Sequence, residues 1–166
     1  MKDFTEKIVR TATIFLSLSL FGLAVVSGSN THPFSLTIRL LHDIAKAGSQ
    51  IRVEVVLTNT SDHEIGILKS APEADYMVEV RDANGNMAPD TDFGRRQKDP
   101  ASVKVSSATP LYSLKPGESL HDEIQIERLY KISGPGKYSI QASRTVPEEM
   151  GSGVVKSNMV NVTVTP

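Results

Sequence analysis

Along most of the chain, apolar and polar residues alternate one by one. In FSLTIRL, Phe34, Leu36, Ile38 and Leu40 fall on one side, with Ser35, Thr37 and Arg39 on the other. A strand sends successive side chains to opposite faces, so this period of two predicts half-buried strands. IRVEVVLTN repeats it with Ile51, Val53, Val55 and Leu57 inward, YMVEVRD with Tyr76, Val78 and Val80, YSIQASR with Tyr138, Ile140 and Ala142, and MVNVTVT with Val160, Val162 and Val164. Shorter pieces at IGILK (65 to 69), VKV (103 to 105) and LYSL (111 to 114) give weaker strand signals.

Turn residues separate these runs. Asn84-Gly85 is the strongest, because both residues tolerate the positive φ that a tight hairpin requires. Pro116-Gly117 presets one turn dihedral and accepts the next, and LHDEIQI then alternates again, with Leu120, Ile124 and Ile126 inward and His121, Glu123 and Gln125 outward. Asp122 has the inward parity, at a strand start where a carboxylate can reach water or discourage edge pairing. Helical periodicity is weak, and ERLYKIS (127 to 133), closed by Gly134-Pro135, offers at most one or two turns. The pattern predicts an all-β chain: an antiparallel immunoglobulin-like β-sandwich of about seven to eight strands.

The first 28 residues differ from the rest. Lys2, Lys7 and Arg10 precede the uncharged run TATIFLSLSLFGLAVV, and small residues follow, which predicts a signal peptide helix cut after Ser27 or Gly28. The apolar run is shorter than the ~20 residues a helix needs to cross a bilayer core, so no stable membrane anchor is expected after cleavage. The expected division is residues 1–28 as leader and 29–166 as one sandwich domain, periplasmic or secreted. The chain has no cysteine, which excludes disulfides, thiol catalysis and a lipoprotein anchor. A cysteine-free exported domain suits a bacterial envelope or secretome.

With 18 basic and 19 acidic residues, bulk charge points to no nucleic acid partner. Catalytic spacing is missing: no G-x-S-x-G elbow occurs, and His32, His42, His63 and His121 lack the spacing that brings two rings onto one metal. DANGNMAPD, from Asp82, has Met87 where a calcium loop needs glycine and Phe93 where it needs glutamate, so a hairpin is the better reading. No glycine loop for a phosphate-bearing cofactor is present. The expectation is therefore a non-enzyme without catalytic residues, cofactor or metal.

Residues 88 to 102, APDTDFGRRQKDPAS, are longer and more charged than a hairpin connection needs. Asp92, Phe93, Arg95, Arg96 and Lys98 are the candidate interaction residues, on the expectation that an irregular loop of this length serves recognition or is a solvated connector. TVPEEMGSG (145 to 153) is a second, shorter candidate.

At LTNTSDHEI, SLKPGES and SGPGKYSIQAS the chain resembles exported bacterial immunoglobulin-like β-sandwich modules, a loose group that includes adhesion-type repeats and the BsuPI-type proteinase-inhibitor domain. The resemblance implies that Tyr138 is a corner tyrosine whose hydroxyl bonds to nearby backbone. Ile140 stands where antibody domains carry cysteine, and tryptophan is absent, so antibody-type membership is excluded. The fold pattern, export and the missing catalytic spacing give the functional expectation: a binding module for a protein or envelope component, or alternatively an inhibitor or regulator of an exported protease.

Overall fold

A computed structural model describes residues 32–99, 109–132 and 134–166. The expected leader and the weak strand signal at 103 to 105 lie outside the described residues. Nine strands are present among those described. β1 (Phe34–Leu40), β3 (Arg52–Asn59) and β7 (Ser119–Gln125) form one antiparallel sheet in the order β1-β3-β7. β2 (Ile44–Lys46), β9 (Gly153–Thr165), β8 (Gly136–Val146) and β5 (Met77–Asp82) form the second, and β4 (Ile65–Leu68) pairs with β6 (Leu111–Leu114) as a separate ribbon.

The alternation places the core. Leu36 lies opposite Leu57, Ile38 opposite Val55 and Val53 opposite Ile124 in the first sheet, while Val80 faces Ile140 and Val160 faces Ile140 in the second. Phe34, Leu36, Ile38, Val53, Val55, Leu57, Val80, Ile140 and Val162 are buried between the layers, the two-layer solution by which sheets with one apolar face exclude water. Each such side chain contributes about 1.5–3 kcal/mol by leaving water.

Two features depart from the sequence expectation. The strand count exceeds seven to eight, and the sandwich is not purely antiparallel, because β2 pairs with β9 in parallel. The chain leaves β1 at Leu41, crosses at Asp43 and joins the second sheet, so β2 runs in the same direction as β1 but lies beside the last strand. Strands that switch sheets make the corners of a sandwich.

A bulge closes this edge. Ala142 faces both Ser157 and Asn158, and its N–H is taken by the Ser157 hydroxyl at 3.0 Å. The extra residue re-aims Asn158, whose amide oxygen accepts the Ile38 N–H at 2.8 Å and whose nitrogen donates to the Ile38 carbonyl at 3.0 Å. One side chain thus satisfies the open edge of β1 as a neighbouring strand would.

The corner tyrosine is present: the Tyr138 hydroxyl donates to the Gly134 carbonyl at 3.0 Å. At Asn84-Gly85 the hairpin forms, with Gly85 at φ +83° and the Asp82 carboxylate accepting the Asn84 and Asn86 N–H groups at 2.9 Å. Those backbone bonds, Asn86 first, hold the Asp82 carboxyl below the ordinary aspartate value.

Candidate functional site

Three short helices gather beside β5. α1 (Pro72–Asp75) starts on a proline whose missing N–H costs nothing there, α2 is Asp92–Lys98, and α3 is Ile126–Leu129. The stretch read from sequence as an irregular connection therefore contains a seven-residue helix. Its start is set by Thr91, whose hydroxyl accepts the Gly94 N–H at 2.9 Å, while the Thr91 N–H donates to the Leu129 carbonyl at 2.9 Å. A Cβ on Gly94 would stand 2.1 Å from the Leu129 carbonyl oxygen, so only glycine lets α2 rest directly on α3.

The five candidate residues separate on this helix. Phe93 turns toward the core beneath Arg128, whose guanidinium lies 4.8 Å from the ring centre and bonds Glu73 at 2.5 Å. Lys98 folds back, its ammonium 2.6 Å from the Asp90 carboxylate and 4.6 Å from the Tyr130 ring centre. Burial lowers the Lys98 pKa, but its hydrogen bond to the Asp90 carboxylate and the adjacent Tyr130 hydroxyl oxygen outweigh it and leave it raised. Asp92 and Arg95 pair with each other at the surface, and exposed Arg96 has no ion pair among the described residues. The structure thus brings Phe93 and Lys98 into the helical cap and leaves Asp92, Arg95 and Arg96 outside.

Between the cap and β5 lies a cleft of about 120 Å³. Tyr76, Val78 and Tyr130 line it, with Glu73, Gln97 and Lys98 among its polar groups. Its charged groups already have partners, Glu73 in Arg128 and Lys98 in Asp90. The Tyr130 hydroxyl, its pKa raised by burial, donates to the Val78 carbonyl and so covers part of the β5 edge. The 145 to 153 candidate forms a single 3₁₀ turn at Glu148–Met150 between β8 and β9 and borders a wider cleft of about 400 Å³ with His32, Thr60 and His63.

A polar cluster that sequence reasoning did not assemble lies inside the sandwich. The buried Asp122 carboxylate accepts the Tyr76 hydroxyl at 2.9 Å and the Lys69 ammonium at 2.7 Å. The Arg144 guanidinium stacks 5.1 Å over the Tyr76 ring, donates to the Leu68 carbonyl at 2.6 Å, and leaves Nη1 without a hydrogen bond, 4.0 Å from Asp75. Burial, then the negative charge of Asp122, raises the Tyr76 pKa. The only sequence signal was the inward parity of Asp122 in an otherwise apolar row. Elsewhere His121 bonds Glu54 at 3.3 Å and His63 bonds Asp62 at 2.9 Å. Among the described residues no three histidine or acidic side chains gather as a metal site, and no helix is long and apolar enough to cross a membrane.

The class defined by this architecture is a β-sandwich. No protein-family profile matches the chain. It is 30% identical over 116 residues to a neutral protease 2 homolog of Uncinocarpus reesii (strain UAMH 1704), a match covering 66% of this chain and 31% of that protein. The chain thus spans about a third of the length of this curated relative. Among solved structures, it superposes on the CARDB domain of a Pyrococcus furiosus protein with TM-score 0.41 and 18% identity, covering 80% of this chain and 87% of that one. A β-glucosidase of Erythrobacter marinus gives TM-score 0.42 and 14% identity over 81% of this chain and 16% of the enzyme. Superpositions this loose carry no argument about function.

Proposed function

We propose that the chain is an exported, non-enzymatic binding module whose partner is a protease or a protease-bearing protein. The observation that carries this reading is the match to about a third of a neutral protease 2 homolog. A segment of that size, folded as a sandwich whose inward polar groups bind one another, suits a companion to a catalytic part better than the catalytic part itself. Export rests on the basic and then apolar start of the chain, and location in a periplasm or outside the cell follows from it.

Residues 29–166 should bind the remaining two thirds of that homolog in calorimetric titration, and should hydrolyse no peptide alone. A fall in the homolog's proteolysis on binding would make the module an inhibitor; unchanged proteolysis would make it a scaffold. Absence of binding, or hydrolysis by residues 29–166 themselves, would remove the reading.

A further inference from the structure

The outer face of the second sheet differs from the rest of the surface. Register places Met77 beside Ser143 and Ser143 beside Lys156 in one row, and Glu79 beside Gln141 and Gln141 beside Met159 in the next. Further along, Ile44 and Lys137 flank Thr163. Ile44, Met77 and Met159 are 62%, 62% and 55% exposed.

The charges on this face are unbalanced. Lys46, Lys137 and Lys156 are exposed, and none forms an ion pair among the described residues. The carboxylates nearby are Glu79, held by Arg81 at 3.0 Å, and Asp43 at the corner before β2. From Lys137 to the row of Lys156 is six residues along β8, about 20 Å. Lys156 closes one end of the face and Lys46 and Lys137 the other, with Met159 in a row between them, so charge at the edges frames an exposed apolar side chain.

We propose that this face docks an acidic protein surface, with Met159 inside the patch, Met77 at its β5 edge, and Lys46, Lys137 and Lys156 contacting carboxylates around them. This rests on the binding-module reading and deepens it by naming the face and the partner's charge. The unpaired lysines carry the choice of occupant, because opposite charge on the partner both steers encounter and satisfies them.

The test is an amide NMR titration of residues 29–166 with the peptide Ac-Glu₄-Leu₂-Glu₄-NH₂ and with decaglutamate. Expected shifts fall on 44–46, 139–143 and 156–163, the leucine peptide binds at least threefold tighter, and K46E/K137E/K156E weakens both at least tenfold while circular dichroism stays unchanged. M159A, with all lysines kept, should remove the advantage of the leucine peptide. No shifts, shifts centred on Arg95 and Arg96, or equal perturbation by a ten-nucleotide single strand of DNA would overturn the proposal. Failure of the homolog titration with this map intact would remove the protease partner alone.

Discussion

His121 and Asp122 are neighbours on β7 and lead opposite lives. His121 points outward, 60% exposed, and shares Glu54 with Arg39 on the wet face of the first sheet. Asp122 points inward, its side chain 3% exposed, where it holds Lys69 and Tyr76 together. Water reaches His121 and Arg39 freely but barely reaches the Asp122 carboxylate, so the same residue chemistry one position apart differs greatly in what its loss costs. The inner cluster ties β7 to the segment around Lys69 and to the start of β5.

The sharpest way to break this contrast is Asp122→Ala, which strands a lysine and a phenolic hydroxyl in the interior and should lower stability by about 3–5 kcal/mol in urea unfolding. Gly94→Ala comes next. The new methyl must push α2 off the Leu129 carbonyl, at a cost of about 1–3 kcal/mol, with loss of amide protection confined to 91–98 and 126–130.

Tyr76→Phe should cost about 1–2 kcal/mol at neutral pH by leaving one Asp122 acceptor unfilled. It also has a pH signature. The folded Tyr76 pKa is raised, so its contribution is complete below the unfolded tyrosine value near 10 and is lost as pH rises beyond it. Alkaline destabilisation measured by urea midpoints above about pH 10 should therefore be shallower in the Phe variant.

The smallest effect belongs to the outer cluster. Glu54 has its pKa lowered by the hydrogen bonds from Arg39 and then His121, so its contribution is present above the unfolded glutamate value and fades as pH falls through the folded one. His121→Ala should leave the neutral-pH melting temperature unchanged within error. A large drop would mean that exposure does not separate the two clusters.

Much of the sandwich was legible because alternation is a local signal: Phe34 to Ile38, Ile51 to Leu57 and Tyr76 to Val80 each declare their faces within a few residues. The corner bond of Tyr138 spans only four residues, and short motifs carry such bonds. β2 was not legible because three residues give too little alternation and its parallel partner lies at the far end of the chain. The α2 helix was hidden because its docking depends on Gly94 meeting Leu129, a contact no charge pattern announces. The inner polar cluster was only half visible: the parity of Asp122 was plain, but Tyr76 is 46 positions away and comes to it only through the fold.

A double-mutant cycle on Lys69→Met and Asp122→Leu addresses the central claim, that the members of the buried polar cluster depend on one another. Urea unfolding of the two single variants and the double variant should give a coupling of about 2 kcal/mol or more, with the double variant nearer the parent than Asp122→Leu alone. Additivity within about 0.5 kcal/mol would contradict it.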